Sequence, residues 1–367
     1  MKKPTTLRVN VCEHRMVSQE ALREPQLFKL KSGDILLTYH VQADTHFAER
    51  KGLRSSDGGK TWLTEPRRAH REQAIGEDKR GTVLAFDIYT FERKPGEYVG
   101  SYFKSTAGGT TFTGPHESVL FINSVVSEEY PTTDQFPSED HPMRHFYQPL
   151  PEYYEPIVKK SSRRKGPVFW RYLIESDGRW LATMYGKFHG DSFYRSILVS
   201  SEDDGKTWAF MTTIAYFRCG VSGEGFDEPV LCRVADGSLL CMMRRGGGLP
   251  LAQCRSTDGG RTWSSPELLA AHGVDPDLYL MSNGVLACTF GRPGMHIMFS
   301  PDGCGYSWGY RTEIGTWRSS SYMGITEIEK GKLLLVYDKV KSDAEDAGRQ
   351  TENCYVGATT ITIEELK

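Results

Sequence analysis

Short apolar runs separated by Gly, Pro, Asn and Asp fill the chain, and a helical period is almost absent. Such patterning predicts strands throughout. The runs also follow a common ruler. Glu24-Pro25 leads to Gly33 and then Ile35–Tyr39, and Glu228-Pro229 leads to Gly237 and then Leu239–Arg244. Asp275-Pro276 leads to Gly284 and Leu286–Arg292, and Tyr322-Met323 leads to Gly331 and Leu333–Asp338. Trp170, Gly178 and Trp180–Tyr185 fit the same ruler. Each instance reads as a strand, a tight turn at the glycine, and a second, more apolar strand.

A second repeat lies over the first. Ser256–Trp263 reads S-T-D-G-G-R-T-W, with near-copies at Ser55–Trp62 and Ser201–Trp208. Ser300–Trp308 is stretched by one residue, and Ser105–Phe112 has Ala107 for the Asp and Phe112 for the Trp. Asp and paired glycines suit a tight turn, because Gly tolerates positive φ and the Asp side chain bonds nearby amides. The Trp then supplies a large apolar ring to the core. Asp57, Asp203, Asp258 and Asp302 are therefore assigned to structure and not to chemistry. A period of roughly 40–50 residues points to a repeat array.

Together the repeats give strand, glycine turn, apolar strand, connection, strand, octapeptide turn, strand. Four antiparallel strands are the content of a propeller blade. The predicted fold is all-β, a six-bladed propeller in one domain over residues 1–367, with blades near 22–66, 80–115, 166–212, 226–267, 274–310 and 319–363. Thr5–Cys12 is strand-like without a unit of its own and is assigned to the last blade, closing the ring. Pro115 to Gly166 breaks the period and is rich in Pro, Tyr and His. It reads as an insertion that forms a pocket rim or a homo-oligomer contact.

Composition narrows the partners. The formal net charge is -2 and no basic block dominates, which argues against nucleic acid. The run Lys159–Lys165 reads as a solvated loop. None of the eight cysteines is spaced as C-x-x-C, so no metal site is expected, and Cys232, Cys241 and Cys288 read as buried thiols. Met1–Asn10 has no apolar signal core and no run is long enough to span a membrane, so a cytoplasmic setting without membrane contact is expected. No cofactor is expected.

The ruler aligns the innermost strands, so residues at one ruler position should share one rim. Glu24, Glu228, Asp275 and Tyr322 fall at that position; Arg23 precedes one of them, and Arg244 and Arg292 close the following strands. Arginine at the end of an apolar strand has no packing reason to be there. The bland alternative is that these arginines pair with the acids to lock blades together.

Here the chain resembles the sialidase (neuraminidase) superfamily. The octapeptides resemble its Asp-boxes (BNR repeats), and Leu22-Arg23-Glu24-Pro25 is similar to its F-R-I-P motif with Leu and Glu for Phe and Ile. Glu228 with Arg244 resembles its Glu-then-Arg pair, Ser321-Tyr322 with Leu335–Asp338 resembles its last-blade segment, and Arg292 is a candidate for its third arginine. The resemblance implies a retaining exo-glycosidase that removes a terminal sialic or related acidic sugar from a carbohydrate. Arg23, Arg244 and Arg292 would bind the sugar carboxylate. Tyr322 would be the nucleophile, a phenol being neutral until deprotonated where a carboxylate would be repelled, and Glu228 its base. Asp44 is the chosen acid, with His40, His46, Asp87, His189 and Asp191 as rivals. A lyase using Tyr and His, an exo-arabinanase-like hydrolase and a non-catalytic glycan-binding propeller are the competing readings.

Overall fold

The computed structural model describes residues 6–19, 23–40, 50–64, 72–129, 164–217, 224–246, 249–317, 319–339 and 355–366. Four sheets carry the predicted four-strand meander. One runs Arg23–Lys29, Ile35–His40, Arg50–Ser55 and Leu63–Thr64, and another Asp227–Arg233, Leu239–Arg244, Pro250–Ser256 and Glu267–His272. A third runs Val274–Leu280, Leu286–Gly291, Met295–Ser300 and Gly309–Gly315. The last joins Met323–Glu329, Lys332–Lys339 and Tyr355–Leu366 to Thr6–Val11, with Arg15–Ser18 also on Tyr355–Leu366. Thr6 pairs with Leu366 and Val11 with Ile361, so the opening strand completes the last unit as expected.

The remaining strands differ from the expectation of separate blades. Glu72–Glu77, Val83–Asp87, Glu97–Ser105 and Thr113–Phe121 form one meander, and Arg164–Ser176, Arg179–Phe188, Arg195–Ser201 and Thr207–Ala215 form another. The two are fused into a single eleven-stranded sheet by parallel pairings, Arg171↔Ala74 and Tyr172↔Ile75 on the inside and Val119↔Thr207 on the outside. The inner pairing needs close backbones. A Cβ at Gly76 would overlap the main chain of Leu173, and glycine removes that obstacle.

Two sequence boundaries are corrected. The second unit begins at Glu72 and not near 80, because two glutamates and a glycine hide the strand Glu72–Glu77 from an apolar-run criterion. The expected insertion does not begin at Pro115: Thr113–Phe121 is the outer strand of the second unit, and Val125–Val126 pairs with Lys187–Phe188. Arg164 and Lys165 open a strand instead of closing a loop. The rest of that segment, 130–163, lies outside the described residues.

The octapeptides sit between the third and fourth strands of their units. Each opening serine accepts the amide of the last glycine of its turn, as in Gly59 N to Ser55 Oγ at 2.7 Å and Gly260 N to Ser256 Oγ at 2.8 Å. The aspartates accept from the downstream threonine amide, at 2.9 Å for Asp57, 2.8 Å for Asp203 and 2.9 Å for Asp258. Their carboxylates are therefore spent on the turn. The second glycine presses on the preceding unit: a Cβ at Gly260 would overlap Leu198, and one at Gly59 would overlap Leu334 of the last unit. Trp208 is fully buried, edge-on to Phe86 and Phe169, whereas Trp62, Trp263 and Trp308 are half-buried.

Apolar clusters cement neighbouring units in turn, and the cycle closes where Leu27, Ile35 and Leu37 pack on Leu334 and Val336. Cys241 and Cys288 are buried free thiols, while Cys232 is only half-buried, facing the interior space between inner strands. Among the described residues no helix is long and apolar enough to cross a membrane, and no group of three metal-ligating side chains could hold a metal ion.

Candidate active site

One backbone device recurs at the start of the inner strands. Glu24, Arg171, Glu228, Asp275 and Ser321 all have positive φ, at 55°, 61°, 46°, 43° and 65°. At the first four the pairing with the second strand slips, between Arg23 and Gln26, Trp170 and Leu173, Asp227 and Val230, and Val274 and Asp277. A bulge adds a residue to one strand and re-aims its side chain. Each left-handed non-glycine costs on the order of 1–3 kcal/mol, so five at one level mark a site held by its surroundings.

This level corrects the sequence ruler in one place. Counting placed Tyr322 level with Glu24, Glu228 and Asp275, but Ser321 has the matching conformation. An extra residue at the register slip between Glu327 and Glu329 makes a count back from Gly331 stop one residue short. Tyr322 therefore follows the bulge. It still reaches the others from there.

The Tyr322 hydroxyl donates a short hydrogen bond to Glu228 Oε1. Arg244 Nη1 donates to the same oxygen at 2.7 Å and lies 3.5 Å from the phenol oxygen. Glu228 Oε2 accepts the Asp275 amide at 2.7 Å, so the carboxylate is fixed from both sides. Burial, then the charges of Glu228, Glu24 and Asp275, push the Tyr322 phenol well above its ordinary value, with Arg244 opposing. At neutral pH it keeps its proton, and Glu228 is the acceptor in place to take it.

Arg244 is held by three carboxylates: Glu228, Glu224 at 2.7 Å and Asp227 at 4.0 Å. Burial works against its charge, but these acids outweigh it and hold the guanidinium above its ordinary value. Asp227 is pushed well up, by burial first and then by Glu228, against the pull of Arg244. Arg292 donates through Nε and Nη2 to Ser320 O at 3.1 and 3.0 Å and lies over the Tyr322 ring at 5.4 Å. Thus Glu228, Arg244, Arg292 and Tyr322 come together. For Arg23 only the main chain is described, paired with His40, and Asp44 and His46 lie outside the described residues.

The rivals to Asp44 are dispersed. His40 pairs with Glu24 at 3.2 Å on the rim. Asp87, buried and bonded to the Ser101 hydroxyl, ends the second strand of its unit as His40 does in the first. Asp191 is clamped by Arg195 through two bonds of 2.6 Å, and His189 is exposed.

Arg171 is the residue the sequence did not reveal. It is fully buried, forks onto Asp275, lies 3.6 Å from Asp277 and donates to Met323 O at 3.0 Å. Trp170 Nε1 adds a bond to Asp275 at 3.1 Å. Burial and Glu228 push the Asp275 carboxyl up to about 7 while Arg171 pulls it back. Burial opposes the Arg171 charge too, but the two aspartates prevail and raise that guanidinium. The guanidinium cannot be deprotonated, so a permanent positive charge stands between the two aspartates. With them Arg171 forms the floor beneath Glu228. No motif announced it, because its unit has neither the acid-Pro pair nor a rim glutamate.

A family model described as "BNR repeat-like domain" matches residues 117–335. Among curated proteins, none matches this sequence. Among solved structures, a protein of unknown function from Dyadobacter fermentans is similar at 17% identity and TM-score 0.69, over 97% of this chain and 99% of that one. The α-L-arabinofuranosidase of Fusarium graminearum in complex with arabinobiose is similar at 12% identity and TM-score 0.63, over 96% and 98%. The intramolecular trans-sialidase of Ruminococcus gnavus in complex with oseltamivir carboxylate is similar at 16% identity and TM-score 0.55, over 96% of each.

Proposed function

Since this chain belongs to the BNR repeat-like domain family, we propose that it is a six-bladed β-propeller glycoside hydrolase that removes a terminal acidic sugar with retention. The two fused meanders count as separate blades in this reading. The observation that carries it is the hydrogen bond from the Tyr322 phenol to Glu228, with Arg244 beside both. A phenol buried against its own base is a nucleophile awaiting deprotonation.

The chemistry runs in two displacements. Tyr322 Oη attacks the anomeric carbon as its proton passes to Glu228. The glycosidic C–O bond breaks, and an acid, assigned to Asp44, protonates the departing oxygen. Water then attacks the glycosyl–tyrosine bond, with the deprotonated acid acting as base, and Tyr322 recovers its proton from Glu228. The sugar carboxylate rests between Arg23, Arg244 and Arg292. To reach Arg244 it displaces Glu224, whose side chain is 51% exposed and free to turn to solvent.

A second reading is favoured by one observation. Glu24, Glu224, Asp227, Glu228 and Asp275 surround the Tyr322–Arg244 pair, a surplus of acid that suits a neutral sugar better than an anion. The fold shared with an arabinofuranosidase is compatible with it.

An assay on aryl α-sialosides and aryl α-L-arabinofuranosides with wild type, Tyr322→Phe and Glu228→Gln separates the two. The acidic-sugar reading expects sialoside turnover that falls by at least ~10³-fold in Tyr322→Phe. Turnover of the arabinofuranoside alone selects the neutral-sugar reading. Turnover unchanged in Tyr322→Phe rejects the mechanism.

A further inference from the structure

The interior between the inner strands has a second opening. The strands leave the Glu228 level and pass the Arg171–Asp275–Asp277 floor. Directly beyond it they surround a cavity of about 330 Å³. Five inner strands contribute, with Phe28, Ile174, Cys232, Tyr279, Leu280 and Thr326 on its wall. Tyr172 closes its inner end, its hydroxyl bonded to Leu27 O at 3.2 Å and Asp277 Oδ2 at 3.0 Å. The floor therefore separates this cavity from the Tyr322 site.

Two cations stand at the cavity without a carboxylate partner among the described residues. Lys29 Nζ donates to Glu327 O at 2.7 Å. Arg233 donates to Gly237 O at 3.0 Å and Ser176 Oγ at 2.8 Å. The nearby Glu327 carboxylate is already engaged by Ser282 and Gly331. An apolar and aromatic wall of this volume is of ligand-pocket size, and two cations with no carboxylate bonded to them favour an anionic occupant.

We infer that this cavity is a binding site for a small apolar carboxylate, its hydrocarbon or aromatic body against Phe28, Ile174 and Leu280 and its carboxylate at Lys29 and Arg233. The site is independent of the chemistry proposed for Tyr322, because the buried triad lies between them.

The test is isothermal titration calorimetry with 2-naphthoate as the probe and uncharged 2-naphthol as its control. Wild type, Cys232→Trp, which fills the cavity, and the double substitution Lys29→Met with Arg233→Met are compared, with thermal unfolding reporting that each is folded. Saturable 2-naphthoate binding with Kd below ~1 mM is expected. It should be lost in Cys232→Trp and weaken about tenfold or more in the double variant. No saturation in wild type, equal affinity in all three proteins, or equal affinity for 2-naphthol overturns the inference. If Cys232→Trp does not fold, the double variant decides, since Arg233 is exposed and Lys29 half-buried.

Discussion

Replacing Arg171 with Met tests how the candidate site is held. Among the described residues the guanidinium is the sole cation bonded to Asp275 and Asp277, whose side chains are 1% and 0% exposed. Removing one partner from a buried ion pair costs about 3–5 kcal/mol, because the charge left behind is desolvated and unpaired. Two stranded carboxylates place this case at the upper part of that range, a large share of the ~5–15 kcal/mol that keeps a domain folded. The sign with pH follows from the carboxyls. Burial raises Asp275 to about 7 even with Arg171 present, and without that cation both aspartates rise further. A carboxyl raised in the folded state binds its proton more tightly there than in the unfolded chain. Its contribution is favourable at low pH and is lost as pH climbs from about 4 through 7. Urea denaturation of wild type and Arg171→Met at pH 5 and pH 8 should therefore show a deficit at both, and a larger one at pH 8. A deficit under ~1 kcal/mol at pH 8, or one equal at the two pH values, would refute the view of the triad as a charged floor.

The octapeptide turns give three further outcomes. Trp208→Ala should cost about 3–5 kcal/mol in urea denaturation, because the ring is fully buried against Phe86 and Phe169 where two units meet. Gly260→Ala should lower the melting temperature more than Gly237→Ala. Both glycines have positive φ, worth about 1–2 kcal/mol of strain in Ala, but only Gly260 is pressed against a neighbouring unit. Asp258 is held well below the ordinary carboxylate range, first by the Thr262 hydroxyl and then by its amide. A depressed carboxyl stabilises above pH ~4 and loses that contribution as pH falls, so Asp258→Asn should flatten the acid limb of the stability–pH curve.

The turns and their spacing were legible because they are local. Ser256, Asp258, Gly260 and Thr262 make one another's hydrogen bonds within a few residues, so sequence order is also spatial order. The meeting of Glu228, Arg244, Arg292 and Tyr322 was legible once the ruler was read as a circle. Arg171 was not, since its partners lie 104 residues or more away along the chain and nothing near it signals burial. The strand Glu72–Glu77 was hidden for the opposite reason. Ala74 and Ile75 do enter the cores, but glutamates and Gly76 around them leave too short an apolar run to notice. The one-residue error at Tyr322 came from the irregularity at Glu327–Glu329, which no composition rule marks.

The kink found in five of the units separates two duties that most sequences must reconcile. Downstream of it, alternating side chains answer to the cores between sheets. At the kink itself a glutamate, an arginine, an aspartate or a serine serves equally well as architecture. A ring assembled this way offers an exchangeable slot in five of its repeats. New reactivity can be installed by editing those slots while the sheets around them stay as they are.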